Sequence, residues 1–357
     1  VNRIETAWNI LVKRHEMLRA IVDQYGQQCI LEQVPDTTIS IHNLDKEYHS
    51  SPKSSSENGS PAENHAKQAQ AYLHQCWDQQ SKNHKANINN ESLVHLPQHQ
   101  LHAVIYNSNR CRLGIIFDYL TLDGFSIKLL LQELAELYQG LATNSDLGVT
   151  QLELSFRDYV SQVQPDPAEV KAAENYWRQK LSDLPLAPEL PLAMDPANLT
   201  NVKFNRREAR LSENTWSQLK EKVKTHQLTP SVLLLVAYSQ IIRQWSGGND
   251  FTLNLTLFDR RNVHAEINQV LGDFTSLAPV AFHQSNGDSL QQQARATQNE
   301  IADALEHREV SSIWVQRERS RQMSLTSAAL PVVFTSTLGL GGGLFEQPSQ
   351  GFPELVA

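Results

Sequence analysis

A proline-rich interval near the middle of the chain is the feature that most constrains its fold. Prolines cluster at 165–167 and 185–196, around one helical stretch at 170–181. On each side of this interval, apolar strand-like runs alternate with amphipathic helical segments. Because such punctuation is typical of junctions between compact units, the sequence predicts two mixed α/β lobes, of the two-layer α+β kind, at residues 1–168 and 169–357.

Length and composition agree with two lobes. The chain has 357 residues, and single hydrophobic cores stop growing near about 250–300 residues. Hydrophobic residues make up 40% and charged residues 20%, a composition typical of water-soluble globular proteins. No apolar run approaches the about 18 residues that span a bilayer, and the net charge of −8 argues against a nucleic-acid surface. We therefore predict neither a membrane nor a nucleic-acid partner.

The cysteines and the chain ends add two expectations. Cys29, Cys76 and Cys111 are odd in number and widely spaced, which indicates neither a disulfide framework nor a Cys/His metal site. The chain opens directly in a helical pattern rather than in a secretory signal. These features predict a cytoplasmic protein without a metal. The missing initial Met and the abrupt end at Ala357 predict that the first lobe is incomplete at its start and the second at its end.

Hydrophobic periodicity predicts the order of elements. In the first lobe we expect a helix at about 3–21, a strand at 28–34, a surface loop at 50–64, a helix near 66–80, a strand pair at 101–106 and 112–117, and a helix ending near Gly140. After the helix of the proline-rich interval, we expect strands at 204–211, 251–256, 277–282 and 331–335, and helices at 213–226, 230–245, 290–307 and 310–319.

The stretch FDYLTLDGFS at 117–126 lies where the strand pair meets the following helix. Asp118 and Asp123 bracket an apolar corner, where desolvation and mutual repulsion can raise the pKa of a carboxyl group and give it acid–base capacity. The alternative is structural: Asp123 or Ser126 caps the free N–H groups of the helix, and Asp118 ends the strand. The residues alone leave both interpretations open.

This corner resembles that of the condensation-domain superfamily, whose amide-forming members carry HHxxxDG between a strand and a helix ending in ELxxLY. Here the helix carries ELAELY at 133–138, but Asp118 and Tyr119 stand at the two histidine positions. The resulting pattern, DxxxxDxxS, is similar to the signature of the heterocyclization subfamily of nonribosomal peptide synthetases. The substitution of both histidines discriminates between the two chemistries.

Further blocks in the same order strengthen the resemblance. RHEMLR at 14–19 is similar to the family's RHxMLR segment. FTLNLTLFDR at 251–260, followed by His264 and by GDFTSL at 272–277, resembles the FTLNLTLFNR…H…GDFTSL block of heterocyclization domains. PVVFTSTLG at 331–339 resembles the subfamily's PVVFTSxLG. Ordered blocks spread over residues 14–339 make chance a poor explanation.

The resemblance implies two chloramphenicol-acetyltransferase-like lobes in a V-shaped pseudo-dimer, with a central tunnel that one carrier protein reaches from each side. It implies that a carrier-bound Cys, Ser or Thr is acylated by a carrier-bound donor, and that the amide then cyclizes and loses water to give a thiazoline or oxazoline of a secondary metabolite such as a siderophore. The phosphopantetheine arms belong to the upstream and downstream carrier proteins. The domain has no cofactor of its own, and an adenylation domain adjoins it in the same megasynthase.

The resemblance also implies the site. A threonine hydroxyl can donate and accept a hydrogen bond, which suits the handling of a hemiaminal proton, and the family's threonine of this kind matches Thr335. Its partner aspartate belongs to a downstream motif that does not occur before Ala357. The other catalytic candidates are Asp118 and Asp123, with these residues in support: Ser126, Arg260, Asp273, Thr275 and Ser336.

Several contacts of these residues are expected. Asp118 and Asp123 would chiefly shape the tunnel floor, and Asp123 would bond to an arginine, for which the candidates are Arg14, Arg19 and Arg260. Arg260 and Asp273 could form an ion pair. Asn254 and Thr256 read as ordinary strand residues with satisfied polar groups.

Two alternatives remain at this level. An ordinary amide-forming condensation domain is disfavoured because Tyr119 stands at the active-histidine position. A non-catalytic, condensation-like platform would bind carrier proteins without turnover. The sequence does not distinguish Cys from Ser or Thr as the substrate.

Overall fold

The computed structural model describes residues 1–23, 25–44, 61–87, 99–107, 110–117, 119–143, 148–195, 198–199, 205–283, 287–323 and 328–338. Its α-helices are α1 (Asn2–Arg14), α2 (Pro61–Asn87), α3 (Gly124–Thr143), α4 (Phe156–Gln162), α5 (Pro167–Lys180), α6 (Glu213–Thr225), α7 (Pro230–Trp245), α8 (Leu290–Glu306) and α9 (Ser312–Gln322). Its strands are β1 (Ala20–Val22), β2 (Gln28–Ile30), β3 (Ser40–Asn43), β4 (His99–Asn107), β5 (Arg110–Phe117), β6 (Phe251–Phe258), β7 (Thr275–Phe282) and β8 (Val333–Phe334).

The chain forms two compact units. The first contains the described residues of Val1–Val163 and Arg260–Phe274, and the second those of Gln164–Asp259 and Thr275–Leu344. The sequence-based division at 168/169 places residues 260–274 in the second lobe, whereas in the structure they cluster with the first unit. The lobe boundary itself stays a prediction.

The first unit is built on a three-stranded sheet of order β3-β4-β5, in which β3 and β4 are parallel and β4 and β5 antiparallel. Successive side chains of a strand point to opposite faces. Accordingly, Leu101 and Ala103 pack with α1 and α3, while Val104 and Tyr106 pack with α2. Helices therefore cover both faces of this sheet, as the mixed α/β pattern predicts. The strands β1 and β2, which precede this sheet in the chain, form a short antiparallel pair of their own.

The first helix ends before its predicted end near 21. His15 adopts extended backbone angles, φ −106° and ψ 112°, and a 3-10 turn at Glu16–Arg19 leads into β1. The buried His15 ring is bonded to Glu133 of α3, 2.6 Å from Nε2 to Oε2. This tertiary contact outweighs the helical periodicity that continues through Leu18.

The second unit contains a sheet of order β7-β6-β8, antiparallel between β6 and β7 and parallel between β6 and β8. Apolar side chains of α7 and α8 pack on Phe251 and Leu253 of β6, and α5 and α9 pack on Ala278 and Ala281 of β7. The helix starts follow the sequence signals, because polar residues accept hydrogen bonds from the first-turn amides; these caps in the chain are Ser155, Asp166, Ser212, Thr229 and Ser289.

Some predicted elements differ. The predicted strand at 204–211 is wrong over 205–211, where the chain is exposed and unpaired in any sheet; residue 204 lies outside the described part. The predicted strand at 331–335 shortens to Val333–Phe334, because Pro331 has no N–H to donate. Of the predicted loop at 50–64, residues 50–60 lie outside the described residues and 61–64 begin α2. Among the described residues, no helix has the length and apolar character needed to cross a membrane.

Candidate functional site

The corner before α3 is held by Asp123. Its carboxylate Oδ1 accepts a hydrogen bond from the Ser126 amide at 2.7 Å, and its carbonyl accepts from the Ile127 amide at 3.0 Å. A carboxylate at a helix N-terminus satisfies free N–H groups and interacts favourably with the helix dipole. The capping interpretation of Asp123 is therefore confirmed. Asp123 is only 2% exposed.

Asp123 and Ser126 also fasten a segment that lies about 150 residues later. The Asp123 amide donates to the Gly272 carbonyl at 3.1 Å, and Asp123 Oδ2 accepts from the Phe274 amide at 3.2 Å. The fully buried Ser126 hydroxyl donates to the Gly272 carbonyl at 2.8 Å and accepts from the Gly272 amide at 3.1 Å. These two side chains thus connect the corner at Asp123–Ser126 (the DxxS corner) with the segment Gly272–Phe274 (the GDF segment).

Arg260 completes this buried cluster. One of its terminal nitrogens donates to the carbonyls of Ile267 and Val270, at 2.6 and 2.7 Å. The other donates to Ser126 Oγ at 3.2 Å and lies 3.9 Å from Asp123 Oδ1. Desolvation lowers the pKa of Arg260 to about 10, although the charge of Asp123 opposes this shift. The guanidinium of Arg260 therefore stays protonated near neutral pH.

The guanidinium of Arg260 also contacts two aromatic rings. Its central carbon is 4.4 Å from the ring centre of Phe125 and 3.7 Å from that of Phe274. The arginine partner expected for Asp123 is therefore Arg260. The other two candidates bond elsewhere: Arg14 to Thr150, Gln269 and Glu133, and Arg19 to the carbonyls of Val12, Leu31 and Glu32.

The remaining first-unit candidates are only partly located. Asp118 lies outside the described residues. Tyr119, at the position of the family's active histidine, is 74% exposed. Asp273 is exposed between the buried residues Gly272 and Phe274, and its expected pair with Arg260 stays a prediction. Catalytic roles for Asp118 and Asp123 also stay predictions.

In the second unit, a row of polar side chains follows one face of β6. Thr252, Asn254 and Thr256 alternate with apolar residues, and residues two apart share a face of a strand. Thr252 is fully buried and donates to the Pro185 carbonyl at 2.6 Å. Asn254 is buried as well, donating to the Leu330 carbonyl at 2.7 Å and accepting from the Ser312 hydroxyl at 2.5 Å. The structural interpretation of Asn254 agrees with these contacts.

Thr256, the third residue of this row, contacts Thr335. The two Oγ1 atoms are 2.7 Å apart; Thr335 is exposed and Thr256 half-buried. Next to them, the hydroxyls of Ser336 and Ser231 are 2.6 Å apart, and Ser231 belongs to the first turn of α7. Thr275 is exposed at the start of β7, opposite Phe258.

Two residues of this cluster, Thr256 and Ser231, were not among the site residues predicted from the sequence. The alternation of polar residues along β6 signals a polar face for Thr256. The contact of Thr256 with Thr335 depends on the parallel register of β6 and β8, and a single sequence does not reveal that register. Ser231 gives no signal beyond its place at a helix start.

The two clusters suit different tasks. Both carboxylate oxygens of Asp123 are engaged and buried, which suits it to hold the corner. The Thr335 hydroxyl is exposed to solvent and can exchange hydrogen bonds with a substrate. Among the described residues, no group of three or more His, Cys, Asp or Glu side chains is arranged to bind a metal ion.

Comparison with known proteins identifies the family. Residues 1–337 match the Condensation domain family. The chain is 31% identical to bacitracin synthase 1 of Bacillus licheniformis over 360 residues, and 30% identical to pyochelin synthetase PchF of Pseudomonas aeruginosa over 343 residues. These alignments cover 100% and 94% of this chain but 6% and 17% of the relatives, so the chain spans a small part of these proteins.

A solved structure gives the same result. The cyclization-docking bidomain of the nonribosomal peptide synthetase EpoB from Sorangium cellulosum superposes with a TM-score of 0.75 at 30% identity, covering 95% of this chain and 64% of that one. The expected chloramphenicol-acetyltransferase-like α/β fold is confirmed by such neighbours. The chain belongs to the condensation-domain family of nonribosomal peptide synthetases, in its heterocyclization branch.

Proposed function

We propose that this chain catalyses peptide-bond formation between a carrier-bound acyl donor and a carrier-bound Cys, Ser or Thr, followed by cyclization and dehydration to a thiazoline or oxazoline. The observation that carries the proposal is the exposed Thr335 hydroxyl, held 2.7 Å from Thr256. The lack of histidine at 118 and 119 also supports it, because both positions of the amide-forming motif are replaced.

The reaction has three steps. The amine of the carrier-bound residue attacks the donor thioester, and the donor carrier's thiol leaves. The side-chain thiol or hydroxyl then adds to the new amide carbonyl, giving a hemiaminal. Finally the hemiaminal hydroxyl takes up a proton and leaves as water, and the nitrogen releases its own proton to solvent as the C=N bond forms, so that no net proton is consumed. In our proposal, Thr335 donates to the departing oxygen, which is the role of a general acid or proton relay.

Asp123, Ser126 and Arg260 support this chemistry indirectly in the proposal. Their hydrogen bonds hold the corner and the GDF segment in one arrangement, and small misplacements of binding elements can cost large factors in rate. Asp118, Asp273, Thr275 and Ser336 are further proposed site residues. Ser336 has the strongest support among them, since its hydroxyl is fixed next to Thr335 by Ser231.

The names of relatives agree with ring formation. Among them is phenyloxazoline synthase MbtB of Mycobacterium tuberculosis, 30% identical over 243 residues, which are 68% of this chain and 17% of that protein. The family works with phosphopantetheine arms on carrier proteins within modular synthetases. We propose that upstream and downstream carriers are the partners here, that an adenylation domain adjoins, and that the domain has no cofactor of its own. The free thiols of Cys29, Cys76 and Cys111 support a cytoplasmic location.

The test is mass spectrometry of the downstream carrier. The complete polypeptide that carries this sequence is mixed with a carrier loaded with an acyl group and a second carrier loaded with Cys, Ser or Thr. A product one water lighter than the linear amide is expected. Linear amide alone from the unmutated protein would favour simple condensation, and carrier binding without product would favour a non-catalytic platform.

A variant pair then assigns the threonine. Thr335→Ala is expected to lower azoline formation by about 10²–10⁴-fold, the usual contribution of a positioned proton donor, while linear amide still forms. Thr225→Ala is the matched control, because Thr225 is an exposed threonine at the end of α6 whose hydroxyl bonds only to a carbonyl of its own helix in the described structure. Equal azoline yields from both variants would contradict the assignment.

A further inference from the structure

The polar row on β6 changes character along the strand. Thr252 and Asn254 are buried, and backbone carbonyls accept their hydrogen bonds. Satisfying buried polar groups in this way is the ordinary requirement of a folded core. Thr256 is nearer to solvent, and its hydroxyl meets the hydroxyl of an exposed residue. The third member of the row is therefore not explained by core packing.

We propose that Thr256 is a positioning residue that orients the hydroxyl of Thr335 for the dehydration step, an inference that rests on the function proposed above. The backbone ladder between β6 and β8 pairs Asn254 with Val333 and Leu255 with Phe334. Thr335 comes one residue after this ladder ends. The Thr256–Thr335 hydroxyl contact continues the same register through side chains.

The physical reason is rotational freedom. An exposed threonine hydroxyl can move among staggered χ1 states, and only one of them places it against Thr256. A hydrogen bond of 2.7 Å between the hydroxyls selects that state. When Thr256 donates, the proton of Thr335 is directed away from Thr256 and is free for the substrate oxygen. When Thr335 has given up its proton, Thr256 can stabilise the oxygen that remains.

The anchoring of the preceding residues makes this last contact decisive. The Leu330 amide donates to Gln316 and the Leu330 carbonyl accepts from Asn254, while Gln316 and Asn254 are linked through Ser312. This ring of side chains fixes the backbone five residues before Thr335. With the backbone fixed, the direction of the Thr335 hydroxyl depends on its side-chain partner.

The experiment compares three single variants, and one double variant with Thr335→Ala, in the complete polypeptide, using an acyl-loaded carrier and a cysteinyl carrier. Thr256→Val keeps the shape of the side chain and removes its hydroxyl, and Thr256→Ser restores a hydroxyl. Thr252→Val is the matched control on the same strand. It removes the hydrogen bond from Thr252 to the Pro185 carbonyl, and that carbonyl still accepts a hydrogen bond from Arg319. The readouts are the ratio of azoline to linear amide, the rate of amide formation and the melting temperature.

We expect Thr256→Val to lower the azoline-to-amide ratio about tenfold, the rate equivalent of about one neutral hydrogen bond, with amide formation nearly unchanged. Thr256→Ser should recover most of the ratio. Thr252→Val should lower the melting temperature without changing the ratio. Combined with Thr335→Ala, Thr256→Val should have no further effect on the ratio, because the two residues act as one unit.

Other outcomes overturn the inference. An unchanged ratio in Thr256→Val shows that Thr335 needs no orienting partner, and a parallel loss of both products, as from a general folding defect, assigns Thr256 to structure alone. If Thr256→Val does not fold, Thr256→Ala removes the same hydroxyl with less bulk and is read in the same way. Failure of the proposed function is distinct, since the unmutated protein would then yield no azoline.

Discussion

The Asp123 corner of the first unit and the Thr335 segment of the second differ in how their polar atoms are satisfied. At the corner, a buried carboxylate and a buried guanidinium are surrounded by backbone amides, carbonyls and aromatic rings. At Thr335, one exposed hydroxyl meets one half-buried hydroxyl. The sequence makes Asp123 and Thr335 catalytic candidates, and for Asp123 it leaves the capping alternative open. The contrast teaches that residues marked by the same kind of signature can differ in whether the fold engages their polar atoms or leaves them open to solvent.

The largest effect should follow from removing the carboxylate of Asp123. Asp123→Ala leaves the Arg260 charge buried without its counter-ion and removes the acceptor for the Ser126 and Phe274 amides. Breaking a buried pair in this way costs about 3–5 kcal/mol of unfolding free energy. Urea denaturation measures this loss. Asp183→Ala, at an exposed aspartate, is the control and should change stability little. A soluble, fully folded but inactive Asp123→Ala protein would instead give the corner a catalytic role.

A second prediction concerns the stability of the first unit at acidic pH. Burial lowers the pKa of His99, at the start of β4, from 6.5 to about 4. Its ring lies 5.3 Å from that of Trp8, and Nε2 is 3.3 Å from the Thr37 hydroxyl. The unfolded chain therefore binds a proton at His99 more readily than the folded chain does. The free energy of unfolding keeps its full value above about pH 6.5 and falls by up to about 3 kcal/mol as the pH drops toward 4.

Hydrogen exchange at several pH values tests this expectation. Amides of β4 should lose protection between pH 6.5 and 4, and His99→Gln should flatten that dependence. His226→Gln, at an exposed histidine of the second unit, should leave it unchanged. If β4 keeps its protection down to pH 4 in the unmutated protein, His99 is not an acid-sensitive point of the first unit.

A third effect tests how tightly the corner is packed. A methyl group on Gly272 would overlap the ring of Phe156, which is itself packed edge-on against Phe274, 5.0 Å between ring centres. Gly272→Ala should cost about 1–3 kcal/mol of unfolding free energy, the usual cost of overpacking.

Gly114→Ala is the matched control for Gly272→Ala. Its added methyl would lie 2.7 Å from the end of the Leu73 side chain, which can rotate away. Calorimetric melting temperatures should rank the unmutated protein above Gly114→Ala, and Gly114→Ala above Gly272→Ala. The reverse ranking would mean that the corner tolerates a shift of the GDF segment.

Local patterns in the sequence were enough to predict most helices and the four long strands, because each has a clear periodicity or a capping residue; a pairing was predicted only for β4 with β5. The cap at Asp123 was one of two alternatives at that level. The grouping of residues 260–274 with the first unit was not predictable, since the Ser126–Gly272 contacts join residues far apart in the chain. The Thr256–Thr335 pair was missed for the same reason: strand register is a tertiary property.

The smallest effect on stability should come from Thr335. Thr335→Val removes an exposed hydroxyl whose loss leaves Thr256 half-buried and able to bond to water, so the unfolding free energy should change by less than about 0.5 kcal/mol. Thermal melting of Thr335→Val beside Ser126→Ala measures the difference directly. Ser126 is fully buried and bonds to both polar groups of Gly272, so its loss should cost about 1–3 kcal/mol. A destabilisation of Thr335→Val as large as that of Ser126→Ala would erase the contrast, because Thr335 would then hold its segment as Ser126 holds the corner.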